Sequence, residues 1–415
     1  MTIPRQASNA MARNGSDSIG LFSGRPRFDL PLHVGRPNIP SRARLLARIE
    51  DILDRRWLTN SGPYEQDLER RIASYIGVQH CIAICNGTVA LEIAVRALGL
   101  RGEVIIPSFT FIATAHALQW QEVTPVFCDV DPATHNIDPA QVERLITPRT
   151  SGIIGVHLWG RPCDTEALDC IARSRNLQLM FDASHAFGCS HRGRMIGQFG
   201  RAEVFSLHAT KFFGTCEGGV IATNDDSLAQ KVRLMRNFGF SGYDNVTYIG
   251  TNGKMNELSA AFGVTALEEI ENVLSSNRRN YYSYRHALDG IPGLRLIQYD
   301  ECERSNYQYI VLEVDADEAG LHRDELLQVL HADNVLARRY FYPGCHRMEP
   351  YRSYFPHAGL LLPETEMLAG RVLVLPTGTA LSEGDVSAIC EIVRAAIENA
   401  PQVRDKLAEP ARVPR

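Results

Sequence analysis

No stretch of this 415-residue sequence approaches the roughly 20 consecutive apolar residues that a bilayer-spanning helix requires, and no apolar leader core stands near its start. No membrane span is expected, and the chain is read as cytoplasmic. A basic excess is missing too: the formal net charge is -5, which argues against a nucleic-acid partner. The 10 cysteines include no Cys-x-x-Cys pair and no Cys/His group at zinc spacing, so no metal site is expected and the thiols read as reduced packing groups. Cys81 and Cys85 are close enough along one strand face to form a chance pair, although simple packing explains them better. A Gly-x-Gly-x-x-Gly after the first strand is absent, which disfavours a nicotinamide site, and so is a Walker motif. There is no internal repeat.

What is present is ordinary globular composition, with 45% hydrophobic and 22% charged residues. The length suits a major and a minor domain. Residues 1–27, rich in Ser, Asn, Arg and Gly without apolar periodicity, read as a mobile tail. Residues 28–289 read as an arm plus the large domain, and residues 290–415 as a smaller C-terminal α/β domain. Within the large domain, short apolar runs alternate with helical patterns: 80–85, 103–106, 124–129, 152–158, 178–182, 203–207 and 219–223. That alternation predicts an α/β fold with a mostly parallel sheet covered on both faces. Such sheets bind ligands beyond the carboxyl ends of their strands. A helix over about 41–56 carries Leu45, Leu46, Ile49, Ile52 and Leu53 on one side.

Four segments just past strand ends carry chemistry. Lys211 follows the run Glu203–Leu207 and precedes Gly214, Gly218 and Gly219. Burial of such an amine lowers its pKa, and a neutral amine condenses with an aldehyde such as that of pyridoxal phosphate; alone, the same lysine reads better as a side chain snorkelling from a sheet edge, and only the segments below shift the balance. Asp182 ends an apolar strand in Phe181-Asp182-Ala183-Ser184-His185, where it suits either a helix cap or a partner for a protonated ring nitrogen. Asn86-Gly87-Thr88 opens a helix whose free amides suit a phosphate, or simply forms a capped turn. Phe109 and Phe111 follow another strand, as core residues or as a ring stacked on a flat cofactor.

Together these segments, with Pro107–Thr114, Ser206–Lys211, Glu217-Gly218-Gly219 and Gly250–Met255, resemble the DegT/DnrJ/EryC1/StrS family of pyridoxal phosphate-dependent nucleotide-sugar aminotransferases. The resemblance runs from about Phe28 onward and implies the type I aspartate aminotransferase fold. Leu32–Asn38, Val156–Pro162 and Tyr342–His346 are similar to the branch that aminates carbon four of dTDP-4-keto-6-deoxyglucose for antibiotic sugars. It implies that Lys211 bonds the cofactor aldehyde and shuttles protons, that Asp182 faces the ring nitrogen, and that His185 lies near the 3-hydroxyl. Gly87, Thr88 and Ser206 would hold the phosphate and Phe111 would stack on the ring. Asn252 would reach the cofactor phosphate of a second copy, making a homodimer with shared sites. The chain departs from the family pattern at His185, where many relatives have glutamine, and at Asn86, where many have serine.

The implied reaction takes a dTDP-linked 4-keto-6-deoxyglucose and L-glutamate to dTDP-4-amino-4,6-dideoxyglucose and 2-oxoglutarate. A 3-aminotransferase needs the same constellation. A sugar dehydratase of the same fold is disfavoured by Lys211, which family dehydratases lack, and a cofactor-binding regulatory protein by the absence of any DNA-binding module.

Overall fold

The computed structural model of the protein describes residues 19–409. Seven strands make one sheet: β1 (His80–Ile84), β2 (Glu103–Pro107), β3 (Thr124–Cys128), β4 (Thr150–Val156), β5 (Gln178–Asp182), β6 (Ala202–Ser206) and β7 (Gly219–Thr223). Their spatial order is β1-β7-β6-β5-β4-β2-β3. β7 runs antiparallel to both neighbours, and the other six strands are co-directional. The strands are apolar on both faces because helices cover both. Along β5, Leu179 and Phe181 enter one apolar layer while Met180 enters the other, the two-residue period of a strand. All six parallel carboxyl ends therefore open on one edge, where the segments after β1, β2, β5 and β6 meet.

A smaller antiparallel sheet follows, β8 (Leu294–Leu296), β9 (Ile310–Val314) and β10 (Val372–Leu375), with β9 in the centre. It packs on the helix Glu383–Glu398 in an apolar cluster with Tyr281, Tyr284 and Leu288, from the end of the long helix Ile270–Leu288.

One expectation changes. Of the tail expected over 1–27, residues 1–18 lie outside the described residues, but residues 19–27 are fastened down. Ile19 is buried in the small-sheet cluster, and the amides of Gly20 and Arg27 donate to the Asp333 carboxylate at 2.8–3.0 Å. One buried isoleucine and three backbone-to-carboxylate bonds achieve this, a signal too short for composition to reveal. The helix expected over 41–56 forms as Arg42–Arg55. Of its apolar side only Ile52 is buried, while Leu46 and Leu53 stay 47% and 58% exposed.

All 10 cysteines are free thiols, Cys81 and Cys85 included. Among the described residues, no helix is long and apolar enough to cross a membrane and no group of His, Cys, Asp and Glu could hold a metal ion.

Candidate active site

The loop from β6 to β7 is a tight return. Leu207 N donates to Gly218 O at 2.8 Å, Ala209 N to Cys216 O at 2.7 Å and Thr215 N to Leu207 O at 2.7 Å. Close approach explains its glycines: a Cβ on Gly218 would lie 2.1 Å from Thr215 Oγ1, and one on Gly219 2.6 Å from Asn86 O. Lys211 sits in this return and lines a cavity of about 510 Å³ together with Asp182, His185, Ser206 and Tyr309. Burial pulls its ammonium down to about 8, with the Asp182 carboxylate opposing. A sizeable share of the amine is therefore neutral near pH 8, ready to attack a carbonyl or take a proton.

Asp182 is buried at the end of β5. Its Oδ1 accepts from Ser184 N at 3.1 Å and Ser184 Oγ at 2.6 Å, and its Oδ2 accepts from Thr114 Oγ1 at 2.9 Å. Thr114 in turn contacts Thr110 Oγ1 at 3.2 Å. These donors fix the carboxylate plane in the cavity wall, and no helix begins here for it to cap.

His185 is buried between Trp159, Phe341 and Tyr309, with ring centroids at 5.9, 5.7 and 4.4 Å. Burial first, then the Lys211 charge, holds its imidazolium well below the ordinary histidine range, so the ring is neutral. Its Nδ1 accepts from Trp159 N at 3.3 Å. The single ring proton then belongs on Nε2, which makes His185 a donor. An amide NH₂ of glutamine offers the same kind of donor.

At the start of the helix Gly87–Ala97, the Asn86 side chain accepts from Val89 N at 2.9 Å. Asparagine thus caps the helix as serine would, leaving the Gly87 and Thr88 amides at the positive end for an anion. A Cβ on Gly87 would sit 3.0 Å from Ser206 Cβ, so glycine lets the Ser206 hydroxyl join the Thr88 hydroxyl in one cradle. The two phenylalanines divide: Phe109 is fully buried against His135, Trp159 and Phe341, whereas Phe111 is 57% exposed and lines the cavity.

The structure thus brings Lys211, Asp182, His185, Gly87, Thr88, Ser206 and Phe111 to one cavity. It does not bring Asn252 there. That residue is exposed on an outward loop, bridged to Asn237 and followed by Gly253, whose carbonyl accepts from Cys85 N at 2.7 Å. Sequence reasoning missed Thr114, Ser184 and Tyr309 as individual contributors. Thr114 and Ser184 lay inside motifs already singled out, but the strand pattern around Tyr309 gave no sign that its side chain reaches across from the small sheet.

An amine of lowered pKa, an anion cradle, a fixed buried carboxylate, a ring N–H donor and an aromatic wall suit a phosphorylated pyridine aldehyde, and pyridoxal phosphate fits this donor set.

Comparison with known proteins agrees. Residues 41–394 match the model of the DegT/DnrJ/EryC1/StrS aminotransferase family. A dTDP-4-amino-4,6-dideoxy-D-glucose transaminase of Shigella dysenteriae is 38% identical over 367 residues, covering 88% of this chain and 99% of the relative. The Escherichia coli protein of the same name is 36% identical over 371 residues, with 88% and 98% covered. Among solved structures, DesI in the presence of its TDP-sugar product superimposes with a TM-score of 0.91 at 46% identity, covering 95% of this chain and 100% of that one.

Proposed function

The chain belongs to the DegT/DnrJ/EryC1/StrS aminotransferase family, and from that membership we propose that it moves an amino group from L-glutamate to carbon four of dTDP-4-keto-6-deoxyglucose. It is a pyridoxal phosphate-dependent aminotransferase of the type I fold. The products of the proposed reaction are dTDP-4-amino-4,6-dideoxyglucose and 2-oxoglutarate. The observation that carries the reading is the placement of Lys211, Asp182 and the Gly87–Thr88–Ser206 cradle around one cavity, in a chain 38% identical to a transaminase named for that amino sugar. The resemblance extends the proposal to a cytoplasmic supply of amino sugar for an antibiotic.

Pyridoxal phosphate supplies an aldehyde to carry the amine and a protonated ring that draws electrons from the reacting carbon. In the proposal, Gly87 N, Thr88 and Ser206 hold its phosphate, Phe111 covers one ring face, and His185 donates from Nε2 to the 3-hydroxyl oxygen. Asp182, fixed by Ser184 and Thr114, holds the proton on the ring nitrogen. Lys211 first anchors the cofactor. Once free of the cofactor, its neutral Nζ would take the proton from the donor carbon and would give it up to the former aldehyde carbon, two atoms away across the nitrogen.

The same proposal makes the enzyme a homodimer with shared sites. Leu46 and Leu53, with Trp57, Leu58, Phe238 and Ile249, leave apolar side chains exposed on the single chain, as a two-fold contact needs. Asn252 on the outward loop would reach the partner's cofactor phosphate. We also divide the chain at Asp289/Gly290; the apolar cluster around the small sheet draws most of its residues from 291–403, with Ile19, Phe28, Leu32, Tyr281, Tyr284 and Leu288 packed into it from before that point.

The test is product NMR after incubation of the holoenzyme with dTDP-4-keto-6-deoxyglucose and glutamate. Nitrogen on carbon four supports the assignment. Inactivity there, with efficient amination of the 3-keto isomer, would move the enzyme to the 3-amino branch.

A further inference from the structure

Lys211 must do two things, and in each its amine has to be in a different place. While it anchors the cofactor its position is covalent; once displaced, a four-carbon chain with free rotors has to keep its amine over the reacting carbon. The described residues offer Nζ one side-chain hydrogen-bond partner, the phenol oxygen of Tyr309 at 3.4 Å.

Tyr309 is built into that position from three sides. Asn306, three residues earlier, donates from its side chain to His185 O at 2.8 Å and Phe187 O at 3.1 Å. Gln308 Nε2 donates to Thr210 O at 2.9 Å, tying the segment to the residue before the lysine. Tyr299 OH donates to Tyr309 O at 2.9 Å. The Tyr309 ring packs 4.4 Å from the His185 centroid and edge-on to Trp159 at 5.4 Å. A buried tyrosine, immobilised by neighbours that also shape the cofactor cavity, points its hydroxyl at the one amine that has to move.

Resting on the reading of Lys211 as the shuttling base, we propose that Tyr309 is the positioning residue that holds the displaced lysine amine in the cavity between its anchoring and its proton-transfer roles. The phenol keeps its own proton throughout. Burial, then Tyr340, Tyr299 and Asp182, hold it well above the ordinary tyrosine range, so the proton taken from substrate carbon stays on Lys211 Nζ and is delivered from there. Tyr309 accepts a hydrogen bond and gains or loses nothing.

The experiment is Tyr309→Phe, which keeps the ring and its packing. One arm uses cofactor-free protein and no donor: the pH dependence of Lys211 acylation by acetic anhydride, read by peptide mass spectrometry. Losing an acceptor that favours the charged amine should move the half-labelling pH down by about half a unit. The second arm mixes holoenzyme with glutamate in a single turnover. Amino transfer should slow about five- to tenfold, with half-saturating glutamate and cofactor affinity unchanged. An unmoved labelling pH with a rate within twofold of the parent overturns the proposal. So does a matching loss of cofactor affinity, which would make the phenol a cofactor ligand. If the parent enzyme itself fails to react with glutamate, the donor assignment fails while the labelling arm still reports on Tyr309.

Discussion

The edge of the sheet around Lys211 and the outward surface formed by the helix Arg42–Arg55 and the loop 237–254 end differently. At the lysine edge, polar atoms close on each other within the chain: Asp182 takes three donors from Ser184 and Thr114, and His185 takes one from Trp159. On the outward surface the backbone closes and polar side chains pair, Lys254 Nζ with Asn237 Oδ1 at 2.9 Å and Arg48 with Glu268 at 2.6 Å, but apolar side chains are left open. Phe238 N donates to Thr251 O at 3.0 Å, and Gly250 lies so near Gly239 N that a Cβ would come within 2.4 Å. Nevertheless Ile249 is 72% exposed. Tightly bonded backbone that presents apolar side chains to water is suited to contact with another surface. The first region closes its polar groups within one chain, and the second presents the surface that the proposed dimer contact would cover.

The sharpest break in this comparison is at the lysine. Lys211→Ala should lose turnover by at least about 10³-fold, while still binding pyridoxal phosphate noncovalently, because the cradle, Asp182 and Phe111 remain. In the parent, borohydride should bleach the absorbance of bound cofactor and fix label on the Lys211 peptide. Label on Lys231 or Lys254 would remove the site from this edge.

Next comes the claim that the outward region completes a neighbour's site. Asn252→Ala should be inactive or severely impaired as a homodimer. Mixing it with Lys211→Ala subunits should restore about a quarter of the sites on random exchange, since half the dimers are mixed and each has one intact site. No recovery despite verified exchange would leave Asn252 as only a turn residue.

These two regions were also unequally legible beforehand. The seven strands of the large sheet read directly, because parallel strands buried on both faces are continuous apolar runs, and their ends place Asp182, Ser206 and Lys211 without further information. Asp182 could be read as a helix cap until the fold removed the helix. Phe109 and Phe111 could not be separated by pattern, since two residues apart they share a strand-like face; their burial depends on His135, Trp159 and Phe341, which come from distant segments. Tyr309 was invisible for the same reason. The leucines of the helix Arg42–Arg55 read only as one apolar side, because an amphipathic pattern does not say whether that face meets its own chain or another.

A smaller effect tests the aromatic wall. Phe111→Ala should weaken cofactor binding about three- to tenfold, the scale of a stacking contact, without changing the borohydride labelling site. Titration of cofactor-free protein with pyridoxal phosphate measures it. Unchanged affinity would assign the wall to another group.

The smallest effect separates the two regions by pH. Beside the outward loop, Glu65 is buried with its carboxylate 2.7 Å from Arg236, yet burial outweighs that cation and, with Glu69 adding to the rise, pushes its pKa up to about 7. A folded-state pKa above the ordinary 4.5 means the folded protein binds the extra proton, so the associated stability is full below about 4.5 and is lost as pH rises through about 7. Lys211 has the opposite displacement, from 10.5 down to about 8. Its contribution is full above about 10.5 and is lost as pH falls through about 8. Glu65→Gln keeps the volume and an acceptor for Arg236 but cannot ionise. Thermal melts of cofactor-free protein should therefore show this variant gaining on the parent between pH 5 and 7.5, by roughly 1–2 kcal/mol, and keeping that gain unchanged above. Lys211→Met should instead be ahead of the parent at pH 7 and lose that lead between pH 8 and 10. If both variants changed in the same window, the two regions would be one electrostatic unit, and the distinction between the lysine edge and the outward surface would fail at its most sensitive point.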